Sequence, residues 1–390
     1  MREVVICSAL RTAIGAFQGQ WSSFTAPELG AEVIKSIVHQ TTISHIDECI
    51  LGCVLTAGVG QAPARQALLK SGLSNHIPCT TVNKVCGSAI KAVAMGCDAI
   101  VSGHANILLA GGMESMSHAP HLIRTRQHKK MGHEQLIDHL FYDGLENPDD
   151  GFLMGHFADQ CADKFSFSRE QQDEYAIASV QRARHATEAG FFKDEIVPLN
   201  GIVEDEPVYK SDTSKIPRLK PVFNREGSVT AANASSISDG AAVLLLSDIK
   251  TASASNLPVL GLIRAHASHA QTPETFTTAI QGAIEKVLQR CGWTVDEVDL
   301  FEINEAFAVV VMAAMQSLKL KHEQVNVHGG ACAMGHPIGA SGARIIVTLI
   351  HAMIRQGVQK GIAAVCIGGG EAMAVAVEVL PENIKMEVSR

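Results

Sequence analysis

The sequence predicts an α/β protein in which largely parallel strands alternate with crossover helices. Three observations carry the prediction. Apolar, β-branched runs alternate with segments of helical period along most of the chain. The strand-like runs are continuously apolar, as suits strands covered on both faces. The chain is long, 390 residues, with 46% hydrophobic and only 18% charged residues, enough for two or more domains around large cores.

Taken in order, VVICSAL (4–10) reads as a strand and PELGAEVIKSIVHQ (27–40) as a helix. ECILGCVL (48–55) is a second strand and PARQALLKSG (63–72) a second helix. ANILLAGG (105–112) and GIAAVCIGGG (361–370) are further buried strands. The stretch from about 119 to 239 differs, with more charges, prolines and aromatics. It reads as an insertion that covers a pocket. Within it SREQQDEYAIASVQRARHATEAG (168–190) is an amphipathic helix. Ser168 is its cap, Gln171 completes a capping box, and Gly190 closes it.

Residues 86–116 echo residues 341–373. Each copy has a small-residue helix start, an apolar helix, a glycine, an apolar strand and a Gly-Gly-x-Glu-x-Met-like ending, with Glu114 and Glu371 in matching places. Such self-similarity predicts two copies of one α/β unit. The halves are drawn at 1–258, including the insertion, and 259–390.

A net charge of −8 without a dense basic run argues against a nucleic-acid partner. The most basic cluster, Arg124 to Lys130 (RTRQHKK), reads as a solvated loop or a phosphate contact. No apolar run approaches the ~18 residues of a membrane span, so no membrane association is expected. The start, MREVVICSAL, is too short and too polar for a signal peptide. The ten cysteines show no framework spacing and no C-x-x-C, which predicts free thiols in a reducing cytoplasm. His118 with His121, and His266 with His269, lack a third partner, so no metal site is expected. Phosphate-loop, G-x-G-x-x-G, G-x-S-x-G and H-E-x-x-H signatures are absent, which removes support for nucleotide and nicotinamide chemistry.

Four stretches carry candidate chemistry. In TTVNKVCGSAIK (80–91), Cys86 lies between a strand and a helix start, where the helix dipole is expected to lower its pKa from ~8.5. From these residues alone it is either a nucleophile or a buried thiol. In NVHGGACAMGHPIGASGAR (326–344), His336 is pinned before Pro337 among five glycines and aims its ring into a cleft. In CIGGGEAM (366–373), Cys366 ends a strand where the other copy has Leu109, and the following glycines offer free backbone N–H groups. In EINEAFAV (302–309), Asn304 caps a helix or holds a catalytic water.

Together these blocks, with RTAIGAF, GGMESMSHAPHL, Met154-Gly155 and VTAANASSISDGAA (229–242), resemble the thiolase family over essentially the whole chain. The resemblance implies two fused thiolase-fold halves in a five-layered αβαβα body with an inserted loop domain. It implies reversible condensation of two acetyl-CoA into acetoacetyl-CoA and CoA, with coenzyme A thioesters as substrates and no cofactor. Cys86 would carry the acyl group, with His336 accepting its proton. Cys366 would remove the α-proton of the second acetyl-CoA. Asn304 would hold a water that, with His336, stabilises the enolate. The N–H groups of Cys86 and Gly368 would form an oxyanion hole. Ser235 would lie near the pantetheine, and Met154 and Phe307 would line the acyl pocket. Lys215, Arg218 and Lys220 are the expected phosphate partners. Leu153 stands where acetoacetyl-CoA thiolases often carry His, and His328, Cys332 and Met334 also depart from that pattern. The rival within the family is a broader-range degradative 3-ketoacyl-CoA thiolase; outside it, a non-catalytic acyl-CoA or lipid carrier. A homo-oligomer is expected, a tetramer before a dimer.

Overall fold

A computed structural model describes residues 2–43, 45–126, 131 and 133–380. Residues 127–130 of the basic cluster lie outside the described residues.

The first half runs β1 (Val4–Thr12), α1 (Ala26–Thr41), β2 (Glu48–Gly52), α2 (Pro63–Lys70), β3 (Cys79–Val82), α3 (Ser88–Ser102) and β4 (Ile107–Ser115). The inserted region follows, with α4 (Met154–Phe165) and α5 (Arg169–Glu188), and the chain returns in β5 (Ser238–Asp248). The second half repeats the order: β6 (Gly261–Ala270), α6 (Ala279–Cys291), β7 (Leu300–Ile303), α7 (Ala308–Leu318), α8 (Ser341–Gln356), β8 (Lys360–Ile367) and β9 (Glu371–Glu378). The sheet order is β7-β8-β9-β6-β1-β5-β4-β2-β3. The sequence β1-β5-β4-β2 in one half therefore matches β6-β9-β8-β7 in the other. β3 has no full counterpart; a single parallel bridge, Phe301–Val325, stands in its place.

Pairing is mixed rather than parallel. β2 pairs in parallel with β3 and β4, and β7 with β8. β5 and β9 run antiparallel to their neighbours. β9 follows β8 through the short Gly368–Gly370 turn, and β5 re-enters beside β4 after the inserted region, so neither is placed by a βαβ crossover that would make it parallel. Three antiparallel pairs, Val4–Ile263, Val5–Leu262 and Ile6–Gly261, join the half-sheets.

Side-chain alternation along the strands separates the cores. Val5, Cys7, Leu109 and Leu245 pack under α1 and α2. Ile303, Ile362, Ala364 and Ala374 pack under α6 and α7. Ile6, Leu108, Leu246, Val365 and Val375 face inward onto α3 and α8, which lie between the two half-sheets. The stack is thus helix, sheet, helix, sheet, helix.

Two expectations change. Val85–Ser102, 18 residues with mean hydropathy 1.4, does have the length and apolarity of a membrane span, yet it includes α3, the central helix of the stack. The two copies also diverge at their Gly-Gly-Glu ends. β4 runs straight through Gly111 and Gly112 to Glu114, whereas β8 stops at Ile367 and the chain turns at Gly368–Gly370, with Gly369 and Gly370 in the left-handed region at φ 89° and 88°. The predicted α5 cap is present: Ser168 Oγ accepts from Gln171 N, and Gln171 reciprocates.

Candidate active site

Cys86 sits in a tight turn between β3 and α3. Val85 takes φ 48°, an uncommon conformation for a β-branched residue and a mark of strain held by its surroundings. Four hydrogen bonds hold the turn: Val85 N to Asn83 Oδ1 at 3.0 Å, Lys84 N to Ser88 Oγ at 2.8 Å, Ser88 Oγ to Val85 O at 2.7 Å and Gly87 N to Lys84 O at 3.0 Å. Gly87 lies against Ile367, where a Cβ would collide with that side chain. Lys84 pairs with Glu371 across the halves. These contacts bring the turn beside the Gly368–Gly370 turn. The backbone groups of Gly368 and of Cys86 itself act on the Cys86 thiol by favouring its charged form.

The cysteine is not acidified. Burial pushes its thiol up to about 11, against those two backbone groups, and Glu114 adds to the rise. The expectation of a helix-dipole thiolate is therefore corrected. Cys86 precedes the N-cap Gly87 and so lies outside the first turn of α3, and burial is the largest influence on its thiol. Cys366, on β8, is buried, and burial followed by the nearby Cys86 holds its thiol well above the ordinary value.

His336 follows a helical turn, Ala331–Met334, and Gly335 at φ 100°. Its N–H donates to Ser236 O at 3.0 Å. The Ser341 hydroxyl gives its hydrogen to Pro337 O at 2.9 Å, so its oxygen accepts from His336 Nδ1–H at 2.6 Å. Nε2 keeps a lone pair. Burial, and then the Arg344 charge, lower the imidazole pKa to about 3, so the ring is neutral. Asn304 follows β7 but caps no helix, since Phe307 precedes α7. Its Nδ2 lies 3.5 Å from each ring nitrogen of His336, at the limit of hydrogen bonding, and its buried Oδ1 has no partner among the described residues.

Cys86, His336, Cys366 and Gly368 line one cavity of about 370 Å³ together with Leu153, Met154, Ser235 and Phe307. Leu145, Phe223 and Ile338 complete largely apolar walls, and the inserted region supplies much of the cover. Asn304 is buried and is not among the residues that line the cavity. Lys215 is not brought to the cavity: it is exposed and paired with Asp212 at 3.0 Å. Arg218 and Lys220 are exposed on the segment leading to Val222 and Phe223 of the cavity wall. Among the described residues, no group of three or more His, Cys, Asp or Glu forms a metal site.

Sequence reasoning missed the supports. Ser341 fixes the imidazole tautomer, and its place five residues after His336, at a helix start, was the available signal. Glu114 is buried and accepts from Val54 N, Leu55 N and Gly339 N at 3.0, 3.2 and 2.9 Å, clamping the His336 loop to the strand β2 exit. The repeat marked Glu114 without revealing this role.

The fold and these residues define a thiolase. The thiolase N-terminal domain family matches residues 4–250 and the thiolase C-terminal domain family residues 257–379, and the chain belongs to this family. It is 45% identical over 390 residues to a probable acetyl-CoA acetyltransferase of Escherichia coli, covering 97% of this chain and 99% of that protein. It is 45% identical over 388 residues to an acetyl-CoA acetyltransferase of Pseudomonas aeruginosa, covering 96% and 99%. The crystal structure of the Acat5 thiolase from Ascaris suum in complex with coenzyme A superposes with a TM-score of 0.93 at 40% identity, covering 97% of this chain and 100% of that one. The Bacillus anthracis acetyl-CoA acetyltransferase gives 0.94 at 35% identity, covering 97% and 99%.

Proposed function

We propose that the protein is an acetyl-CoA C-acetyltransferase, reversibly converting two acetyl-CoA into acetoacetyl-CoA and CoA through an acyl-cysteine. The observation that carries this is the meeting of Cys86, Cys366 and a neutral His336 in one apolar cavity. The relatives named acetyl-CoA acetyltransferase and the coenzyme A complex of a similar thiolase support it.

In the first half-reaction Cys86 attacks the thioester carbonyl as His336 Nε2 takes its proton. Because the thiol is raised and the imidazole lowered, no resting ion pair forms; the proton moves as the C–S bond forms. The Gly368 and Cys86 N–H groups, whose backbone favours the charged form of the Cys86 sulfur, suit an oxyanion hole worth on the order of 3 kcal/mol per donor. His336 then gives the proton to departing CoA. In the second half Cys366 passes its proton to His336 and takes one from the α-carbon of the second acetyl-CoA. The enolate oxygen faces His336 and a water on Asn304, whose unpartnered Oδ1 suits that task. The carbanion attacks the acyl group, Cys86 leaves, and His336 reprotonates it, which closes the proton balance.

The apolar walls, with Leu153 among them, favour a second reading in which longer or branched 3-ketoacyl chains are also cleaved. Steady-state rates on a chain-length series of 3-ketoacyl-CoA thioesters test both. A sharp preference for acetoacetyl-CoA supports the first, and kcat/KM rising with length replaces it with the second. The reading further takes Arg218 and Lys220 as phosphate contacts, no resident cofactor, a cytoplasmic setting and a homotetramer, the last checked by sedimentation.

A further inference from the structure

We propose that Cys49 and Cys79 form a redox-modification site, at which hydrogen peroxide joins them as a disulfide before it reaches the cysteines of the cavity. The pair faces each other across neighbouring parallel strands, Cys49 on β2 in register with Cys79 on β3. In-register residues of adjacent strands point to the same face at about 4.8 Å between strands, inside the ~4.4–6.8 Å Cα window of a disulfide. The two side chains are near enough for each to shift the other's titration, Cys49 favouring the Cys79 thiolate. Cys49 is buried, whereas Cys79 is partly exposed.

Cys79 also has a cation beside it. Arg65, on α2, is pinned by Ile77 O at 2.5 Å and Asn75 O at 2.6 Å and places Nη1 4.0 Å from the Cys79 sulfur. Glu48 on β2 is the opposing charge, and its carboxylate accepts from Thr80 Oγ1 at 3.1 Å. The hydrogen bond from Cys49, followed by Arg65, draws the Cys79 thiol below its ordinary value, against burial and Glu48. The cavity thiols move the other way, Cys86 to about 11 and Cys366 well above the usual range. Since the thiolate is the nucleophile, Cys79 is the first sulfur that peroxide meets in reactive form.

The chemistry balances. The Cys79 sulfur attacks one peroxide oxygen and the O–O bond breaks, giving a sulfenic acid and water. Cys49 then attacks the Cys79 sulfur, the S–O bond breaks, and the departing hydroxide leaves as water with the Cys49 proton. Two thiols are oxidised and one hydrogen peroxide is reduced to two waters.

The inference stands apart from the proposed reaction. Reduced protein is titrated with hydrogen peroxide, alkylated and mapped by mass spectrometry without reductant. The expected result is a Cys49–Cys79 linked peptide, two hydrogens lighter than its parts and restored by dithiothreitol, while the Cys86 peptide still alkylates fully. Oxidation of Cys86 or Cys366 first, or continued alkylation of both Cys49 and Cys79, overturns it. In Cys49→Ala, Cys79 should accumulate as a sulfenic acid that dimedone traps; no adduct counts against the order of steps. Arg65→Gln should slow Cys79 alkylation near neutral pH roughly tenfold, as for a one-unit rise in thiol pKa. An unchanged rate removes Arg65 from the proposal.

Discussion

At the scale of single residues, the site works with groups that are all uncharged at rest. Cys86→Ser should abolish acyl-enzyme formation; mass spectrometry after acetyl-CoA should show the added acetyl on the wild-type Cys86 peptide and none on the variant. Cys366→Ala should still acylate but fail to condense, and equal loss of both steps would remove its role as carbon-acid base. The pKa values set a third expectation. His336 stays neutral down to about 3 instead of its ordinary 6.5, and Cys86 stays protonated up to about 11. The acylation rate should therefore stay level between about pH 5.5 and 8, with no limb at the usual histidine value. A stopped-flow burst of CoA release across that range checks it, and an inflection near pH 6.5 would mean that the imidazole is more solvated than its burial indicates.

At the scale of elements, Glu114 is the pin. It sits on β4 and holds three backbone N–H groups, two after β2 and one in the His336 loop. Burial raises its pKa from 4.5 to about 7 despite those donors. A carboxyl raised in this way stabilises the fold fully below its unfolded pKa, and that contribution is lost as pH rises toward 7. Wild type should thus lose stability relative to Glu114→Gln between pH 5 and 8, by on the order of 3 kcal/mol. Urea midpoints of both proteins at each pH measure it. Glu114→Ala should in addition impair acylation, because leaving those N–H groups without an acceptor frees the loop that carries His336.

At the scale of the whole molecule, the inserted region is locked to both halves by one buried cluster. Arg11 on β1 binds Glu195 at 2.6 Å and Asp205 at 2.7 Å, both from the inserted region. Thr348 of α8 donates to the same Glu195 at 3.2 Å. Arg11→Ala strands two buried carboxylates and should cost about 3–5 kcal/mol. Urea unfolding gives the loss, and limited proteolysis should cut first between residues 190 and 235. Intact wild-type stability in this variant would show that apolar contacts alone seat the region.

The sequence by itself determined the duplicated α/β plan and the family, and it singled out Cys86, His336, Cys366 and Gly368, which the fold brings to one cavity. Periodicity is local, and blocks such as NKVCGSAIK and GHPIGASGAR keep their chemistry in adjacent positions. It could not show that β5 and β9 run antiparallel, because strand direction depends on where the chain re-enters the sheet. It pointed the wrong way on the Cys86 pKa, since the start of α3 is visible in sequence but the burial that raises the thiol is not. Nor could it pair Lys84 with Glu371, Glu114 with Gly339, or Cys49 with Cys79. Each pair joins residues far apart in the chain, and only strand pairing and the packing of the two half-sheets decide which polar groups lose water and which partner replaces it.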